Sequence, residues 1–167
     1  LLSRMISKEF KEAIKKIGKR MKEKGIKWAL IGSTNMALQG INIHPRDLDS
    51  VVRLDDLKKM KNIFPEYKLS KIKELKSFRN EPAWDIKMRI GDIEGQILGE
   101  KDTGEYVSKL LANKIKNIML DDIEIPCFTL KAEAQTYLET NRKHKADIIN
   151  RFLEQSHLTK PSKYQKL

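Results

Sequence analysis

Apolar residues near the start of the chain recur at the spacing of an amphipathic helix. Their separations are four, three and four residues, at Phe10, Ile14, Ile17 and Met21. Such spacing places the four side chains on one face of a helix. Ser7 is a suitable N-cap and Gly25 a suitable end, so we predict a helix over residues 7–24. Its basic residues lie on the opposite face, where solvation is the ordinary interpretation, ahead of a nucleic-acid surface.

Farther along, short apolar runs and turn residues indicate alternating strands and helices. Strands are predicted at 26–31, 47–53, 85–90, 93–98 and 123–128, with a hairpin turn at Gly91 and Asp92. Helices are predicted at 34–39, from 55 to about 64, at 103–119, and over 130–155 as two helices or one interrupted helix. No secondary structure is predicted for residues 67–80. Residues 159–163 are expected to be frayed. The order predicts an α/β (α+β) fold.

Length and composition predict a globular protein. The chain has 167 residues, of which 40% are hydrophobic, and this content argues against disorder. We expect one domain over residues 1–167, and a helical C-terminal subdomain from about residue 104 is considered beside it. No apolar run approaches the roughly 18 residues of a membrane span, so we expect a cytoplasmic protein with no membrane partner. The lone Cys127 excludes an internal disulfide framework and a cysteine-rich zinc site.

The positive charge is concentrated at the two ends of the chain. The formal net charge is +11, from 34 Lys and Arg against 23 Asp and Glu. Residues 1–28 carry ten basic and three acidic residues, and residues 140–167 carry seven and two. The middle, 29–139, carries the remaining 17 basic and 18 acidic residues and is therefore nearly balanced. A basic protein suggests polyanionic partners such as nucleotides or nucleic acid, but here only the ends carry the excess.

Three features in the first third of the chain carry candidate chemistry, and they occur in the order strand, short helix, strand. Gly32 and Ser33 end the first strand, where a glycine and a small hydroxyl residue allow phosphate oxygens to approach free backbone N–H groups. Asp47 and Asp49 are two residues apart on the next strand, so their side chains leave the same face. Paired carboxylates suit Mg²⁺, and two such ions about 3.5–4 Å apart assist in-line displacement.

These residues belong to three segments that resemble a known family. The segments are Trp28-Ala29-Leu30-Ile31-Gly32-Ser33, Ala37-Leu38-Gln39-Gly40 and Arg46-Asp47-Leu48-Asp49. They resemble the start of a minimal nucleotidyltransferase domain of the DNA polymerase beta-like superfamily. The match is closest to small prokaryotic stand-alone members, including the abortive-infection toxin type, and a weaker likeness continues over 93–100 and 130–153.

The resemblance implies a fold and a reaction. The implied fold is a mixed sheet flanked by helices, with a helical C-terminal portion. The implied reaction is Mg²⁺-dependent transfer of a nucleoside monophosphate from an NTP to an acceptor, with release of pyrophosphate. In that scheme Gly32 and Ser33 hold the β- and γ-phosphates, and Asp47 and Asp49 hold the two metal ions.

The chain departs from the family at the third carboxylate. The family places this acid on a later strand, and the corresponding position here is Gln96, whose amide cannot act as a base. Glu94 lies two residues earlier on the same face, and its longer side chain is the preferred replacement as metal ligand and catalytic acid or base. Asp85, on the preceding strand, is the other candidate.

Several basic residues are left with two interpretations each. Arg46 pairs either with a phosphate, as a nucleotide-binding residue, or with a neighbouring carboxylate. His44 is more simply a loop histidine than a phosphate or base ligand. The basic group near the end of the chain either contacts the triphosphate or a nucleic-acid acceptor, or is a solvated helix face: Arg142, Lys143 and Lys145.

Two hypotheses from different classes follow. The first is a Mg²⁺-dependent nucleotidyltransferase with an NTP as substrate and an RNA or a protein as acceptor. The second is a catalytically decayed module of the same fold that binds nucleotide, nucleic acid or a partner protein. The amide of Gln96 and the basic ends favour the second, and the spacing of Asp47 and Asp49 favours the first.

Overall fold

The computed structural model describes residues 6–76 and 78–159, apart from the side chains of 157–159. Its helices are α1 (Lys8–Glu23), α2 (Gly32–Leu38), α3 (Leu54–Leu57), α4 (Met60–Ile63), α5 (Val107–Leu111), α6 (Leu130–Glu139) and α7 (Lys143–Thr159). Its strands are β1 (Trp28–Ile31), β2 (Leu48–Arg53), β3 (Lys73–Leu75), β4 (Ala83–Ile90), β5 (Ile93–Glu100), β6 (Ile115–Leu120) and β7 (Ile123–Phe128). Within the described residues, the strands form a seven-stranded sheet in the order β3-β4-β5-β2-β1-β7-β6.

The sheet is mixed, as the family resemblance implied. β2 lies parallel to β5 and β1 lies parallel to β7, while the other neighbouring strands are antiparallel. Helices cover both faces, and α6 and α7 form the helical C-terminal portion. The α/β (α+β) fold class is therefore confirmed.

Residue alternation along the strands divides the apolar core between the two faces of the sheet. One face carries Leu30 and Val52, and α1, α3 and α4 pack against it. The other face carries Ile31 and Val51, and α5 packs there. A third cluster joins α2 to α6 and α7. Because side chains on adjacent strand positions point to opposite faces, residues such as Asp49 lie on the α5 side.

The helix α1 follows the sequence pattern closely. The hydroxyl of Ser7 accepts a hydrogen bond from the amide of Phe10 at 3.1 Å, which is the expected N-cap. The apolar face is buried at Phe10, Ile14, Ile17 and Met21. Transfer of these side chains from water is the principal stabilisation of the helix, at roughly 1.5–3 kcal/mol for each large apolar residue.

Two of the expected helices differ from the structure. The predicted helix over 103–119 is wrong, because α5 ends at Leu111 and Asn113 adopts a left-handed conformation with φ of 57°. Residues Ile115–Leu120 then form the edge strand β6, which pairs with β7. The helix expected from 55 to about 64 is two short helices. The hairpin around Gly91 is confirmed, and the predicted fraying beyond Thr159 lies outside the described residues.

No helix in the described part of the chain has the length and apolar character needed to cross a bilayer.

Candidate active site

The turn between β1 and α2 lies directly against a carboxylate of β2. Gly32 has a φ of +73°, in the left-handed region that favours glycine. A Cβ atom at this position would lie 3.0 Å from Oδ2 of Asp49. The amide of Gly32 donates a hydrogen bond to Oε1 of Glu133 at 2.5 Å, so this N–H is engaged inside the protein. Ser33, which is half-buried, contributes its hydroxyl to the lining of the adjoining cleft.

Asp47 and Asp49 both line this cleft. Asp47 immediately precedes β2, and its carbonyl oxygen accepts a hydrogen bond from Oγ1 of Thr34 at 2.6 Å. This bond ties the start of β2 to α2. Asp49 lies opposite Ile31 of β1 on one side and Gln96 of β5 on the other. The structure therefore brings the two aspartates together beside the Gly32–Ser33 turn.

The carboxylate of Asp49 is incompletely hydrogen-bonded by the described residues. Its Oδ1 atom is buried and has no hydrogen-bond partner among the described residues. Burial, and then the negative charge of Asp47, raise the pKa of Asp49 from 3.8 to about 6. Lys87 and Lys145 act in the opposite direction and offset part of the rise. A buried, unpartnered carboxylate oxygen beside a second carboxylate is the arrangement that a bound cation relieves.

The raised pKa predicts how the stability of the cation-free protein changes with pH. The folded state holds a proton on Asp49 up to about pH 6, whereas the unfolded chain releases it near 3.8. The stabilisation is therefore complete below about pH 4 and is lost as pH rises through 6. Relative to Asp49→Asn, the free energy of unfolding of the unmodified protein should fall by about 3 kcal/mol at most across this range.

Urea unfolding at several pH values in the presence of a chelator measures this difference. Asp122→Asn is the matched control, because Asp122 is exposed in the β6–β7 turn. If Asp49→Asn and the unmodified protein show parallel pH profiles, the burial of the Asp49 charge has no energetic consequence and the expectation is wrong.

Glu133 is a buried residue that sequence analysis did not identify. Its side chain is fully buried on α6 and accepts hydrogen bonds from the amide of Gly32, from Nδ2 of Asn35 at 3.1 Å and from the hydroxyl of Tyr106 at 2.9 Å. Burial raises the pKa of Glu133, and the three hydrogen bonds oppose that rise. Glu133 thus fixes the position of the Gly32 turn through a buried hydrogen bond. Its partners are 27 to 101 positions away in the chain, so no local pattern signals the role.

The third corner of the site holds an amide. Gln96 lies beside Asp49 in the β2–β5 register and lines the cleft. Its Nε2 donates a hydrogen bond to Oδ2 of Asp85 at 2.6 Å, and Asp85 is only 4% exposed. Lys87 lies 3.7 Å from the same carboxylate oxygen. Asp85 therefore does not line the cleft itself, and it orients the Gln96 amide that does.

The structure places Glu94 outside the cleft. Glu94 shares a sheet face with Gln96, as expected, but β2 begins opposite Gly95, so no β2 residue lies beside Glu94. Instead Glu94 lies opposite Arg89 of β4 and forms an exposed ion pair with it, 2.7 Å between Oε1 and Nη2. The hairpin extends beyond the site at this point, and the geometry does not join Glu94 to Asp47 and Asp49.

This placement predicts a small effect of Glu94→Gln on any activity of the cleft. The exposed Arg89–Glu94 pair contributes little to stability, about 0–1 kcal/mol, so the variant should fold normally. Turnover should stay within about threefold of the unmodified protein, because no group in the cleft loses a contact. Steady-state kinetics at saturating metal and substrate measure the effect. A loss as large as that of Asp49→Asn would instead support the sequence-based assignment of Glu94 as the third carboxylate.

Basic side chains line the cleft from the side of α7. The Arg142 guanidinium and the Lys145 ammonium lie over the ring of Tyr137, 4.7 and 5.6 Å from its centroid. Burial and the nearby Arg142 charge lower the pKa of Lys145. Arg46 and the loop residue His44 are exposed and also line the cleft.

Lys143, another basic residue of this region, lies away from the cleft. Lys143 forms an exposed i,i+4 ion pair with Asp147, 3.0 Å between Nζ and Oδ2, on the solvent side of α7. It is not among the residues that line the cleft. The helical period explains the difference, because Lys143 and Lys145 are two positions apart and project from different sides of α7.

The cleft is an open cavity of about 980 Å³ between one face of the sheet and α7. This volume lies at the upper end of the roughly 300–1,000 Å³ of ligand pockets. Carboxylates lie on its floor and cations on its α7 side, so it presents both signs of charge. In the described part of the chain, no three His, Cys, Asp or Glu side chains converge as a metal-binding group.

Comparisons with known proteins give a match at the level of structure. No family model matches the chain, and no curated protein is significantly similar to it. A solved structure from Thermotoga maritima, provisionally named a nucleotidyltransferase, superposes with a TM-score of 0.69 at 23% sequence identity. The match covers 90% of this chain and 96% of that one. A second structure, from H. pylori and provisionally given the same name, has a TM-score of 0.44 at 16% identity, with 77% and 56% coverage.

The first of these similarities defines the class of fold. The chain has the fold of this provisionally named nucleotidyltransferase, over 90% of its length. The residues that carry the sequence resemblance, Gly32–Ser33 and Asp47–Asp49, lie together at the cleft of this fold.

Proposed function

We propose that this chain is a nucleotidyltransferase that uses an NTP and Mg²⁺. The observation that carries the proposal is the buried, unpartnered Oδ1 of Asp49, which lies beside Asp47 and against the Gly32–Ser33 turn. A purely structural strand residue gains nothing from an unsatisfied buried charge, which costs free energy until a ligand relieves it. Carboxylates with strongly shifted pKa values in a cleft are typical of functional sites.

The carboxylates present fit one divalent cation well and a second less well. Asp47 and Asp49 would hold Mg²⁺, which prefers carboxylate oxygens and retains water or phosphate ligands. When bound, the ion supplies positive charge next to the reacting phosphate. A second ion, as the sequence analysis expected, would find the neutral amide of Gln96 in place of a third acid. The full two-metal arrangement therefore stays a prediction.

The basic side chains that line the cleft would bind the triphosphate. Ser33, Arg142 and Lys145 line one cleft, and their hydroxyl and cationic groups would contact the phosphate oxygens. Arg46 is exposed on the same cleft and serves as a nucleotide-binding residue in this proposal. Arginine suits phosphate oxygens particularly well, since its planar guanidinium donates two parallel hydrogen bonds.

Transfer in this cleft would depend on positioning and charge neutralisation more than on a strong general base. The described residues place an amide, Gln96, where the family has an acid, and Asp85 reaches the cleft only through that amide. Phosphoryl and nucleotidyl transfer require little covalent chemistry from the protein, since orientation and electrostatic stabilisation lower most of the barrier. We therefore expect slow but measurable turnover.

The test is incorporation of label from NTPs that carry a labelled α-phosphate. The protein is incubated with Mg²⁺, each of the four NTPs, and either bulk RNA or bulk protein as acceptor. Labelled product and released pyrophosphate are both expected, and a chelator should abolish both. Absence of transfer to every acceptor, together with tight NTP binding, would contradict the proposal and leave the second candidate.

That second candidate is a binding module without turnover, favoured by the amide at Gln96. It predicts that NTP or RNA binds with a steep dependence on salt, since phosphate contacts release counterions. A salt series of binding measurements, run beside the transfer assay, separates the two. The acceptor classes tested for the transferase are RNA and protein, and a partner protein is a further ligand class for the binding module.

A further inference from the structure

An exposed aromatic side chain lines the same cleft as the two aspartates and the basic residues. Phe78 is 81% exposed and belongs to none of the three apolar clusters of the described residues. It nevertheless lines the same cleft as Ser33 and Asp49. A single exposed phenylalanine is unremarkable on an ordinary surface. Its place in this cleft, and the way its neighbour is anchored, distinguish it.

The residue after Phe78 is held by buried charges. The guanidinium of Arg79 is 7% exposed and forms an ion pair with the fully buried carboxylate of Glu100 at the end of β5. It lies 3.5 Å from Oε2 of Glu105, which is also buried. Oε1 of Glu105 accepts a hydrogen bond from the amide of Asn80 at 2.8 Å. The backbone on the C-terminal side of Phe78 is thereby fixed to the sheet.

The carboxylates of this anchor are themselves held in place. Oε1 of Glu100 accepts hydrogen bonds from the amides of Tyr106 and Val107, at 2.8 and 2.9 Å, where α5 begins. Buried ion pairs contribute little net stability, because desolvation offsets the Coulomb attraction, but they specify geometry when their remaining hydrogen bonds are made. Nε of Arg79 and Oε2 of Glu105 are buried without a hydrogen-bond partner among the described residues, so the Arg79–Glu100 ion pair and the hydrogen bond from the amide of Asn80 to Glu105 fix the backbone next to Phe78.

Apolar side chains line the cleft on the side of the sheet that runs from β2 towards β3, among them Leu98 of β5 and Leu75 of β3. Arg142, which directly precedes α7, and Lys145 of α7 line the same cleft. Arg79, next to Phe78, also lines it and is near enough to Arg142 for the two charges to interact. The cleft therefore combines cations, carboxylates and an exposed ring beside apolar side chains in one cavity.

We propose that Phe78 is a stacking platform for a nucleobase. The inference rests on the proposed function and adds a binding residue to it. A nucleotide combines an anionic end with a flat aromatic end, and the cleft offers cations for the first and an exposed ring for the second. Every base has a π face that an aromatic side chain can cover, and removal of such a ring costs ~1–3 kcal/mol per base, which is roughly 5- to 150-fold in affinity. The base belongs either to the NTP or to an RNA acceptor.

The test compares ligands with and without a base. Dissociation constants are measured in Mg²⁺ for each NTP, for inorganic tripolyphosphate and for a short single-stranded oligoribonucleotide. Phe78→Ala should weaken at least one base-bearing ligand by about tenfold and leave tripolyphosphate within about twofold. A loss with NTP assigns the stacked base to the substrate, and a loss confined to the oligoribonucleotide assigns it to the acceptor. Phe78→Tyr retains the ring and should restore the affinity.

Met119→Ala is the matched control, because Met119 is another exposed apolar side chain, 57% exposed, on the edge strand β6. Unchanged affinities for all base-bearing ligands in Phe78→Ala overturn the inference. An equal loss for tripolyphosphate also overturns it, because stacking cannot act on a ligand without a base. If the unmodified protein binds neither NTP nor tripolyphosphate, the proposed function itself fails and this inference with it; if it binds both and only the Phe78 effect is absent, the proposed function stands.

Discussion

Asp47→Asn and Asp49→Asn should each reduce nucleotidyl transfer by roughly 10²–10³-fold, as expected when one preorganised electrostatic group is lost. Both carboxylates line the cleft, and an amide supplies oxygen but not the charge that holds a divalent cation. The effect should appear mainly in kcat, with an increased Mg²⁺ requirement. Initial rates over a Mg²⁺ titration measure both quantities.

The same substitutions should not damage the fold. Oδ1 of Asp49 is buried without a partner, so replacing the carboxylate removes an unfavourable charge as well as its repulsion with Asp47. Above pH 6, Asp49→Asn should therefore be at least as stable to heat as the unmodified protein while nearly inactive. This opposition of stability and activity is typical of residues retained for function.

Asp122→Asn controls for the loss of a carboxylate elsewhere and should retain full turnover. Transfer that persists at the original rate in Asp47→Asn or Asp49→Asn would falsify the proposed assignment of the metal ligands. Loss of transfer accompanied by a large fall in melting temperature would point to a structural effect, which contradicts the expected stability.

Glu133→Ala should give the largest loss of stability among single substitutions near the site, about 3–5 kcal/mol. The substitution leaves two buried donors without an acceptor, the Gly32 amide and the Tyr106 hydroxyl, and removes one of the two acceptors of Nδ2 of Asn35. Each unsatisfied buried group costs ~1–3 kcal/mol, and Nδ2 of Asn35 retains the carbonyl of Phe128 as a second partner. Urea unfolding at neutral pH measures the change.

Glu133→Gln distinguishes hydrogen bonding from charge. The glutamine oxygen can accept from Gly32 and Asn35, and its amide can donate to the Tyr106 oxygen, so a loss of only about 1 kcal/mol is expected. Tyr106→Phe removes one donor alone and gives an intermediate value if Glu133→Ala fails to fold. Glu154→Ala, at an exposed position on α7, is the control for removal of a glutamate from a helix. Equal losses in Glu133→Gln and Glu133→Ala would show that charge, not hydrogen bonding, dominates.

The parts of the molecule that could be predicted from sequence are those with a local physical signal. The α1 helix has a cap and a 3.6-residue apolar period, and the β4–β5 hairpin has a Gly91–Asp92 turn. Asp47 and Asp49 could be placed together because strand geometry alone puts positions i and i+2 on one face. The position of Gln96 was expected from the family resemblance instead, and the β2–β5 register places it beside Asp49.

The parts that could not be predicted depend on contacts between distant segments. Glu94 shares a face with Gln96, but the end of β2 opposite Gly95 is a property of strand pairing, which no local pattern reveals. Glu133 meets Gly32 across 101 positions. The strand β6 was mistaken for a helix because its apolar residues, such as Ile115 and Ile118, also fit a helical period, and its pairing with β7 decides the outcome.

Two basic segments of the described chain, α1 and residues 142–145, lie on different faces of the sheet. α1 packs on the Leu30 face, whereas Lys145 and Arg142 approach the cleft from the helices on the Ile31 side. Packed layers are separated by roughly 10 Å, which is comparable with the Debye length of about 8 Å at physiological ionic strength. The charge of α1 therefore adds little to the potential in the cleft under those conditions. Its exposed cations are available to a polyanion that contacts the opposite side of the molecule, independently of whether the cleft is filled.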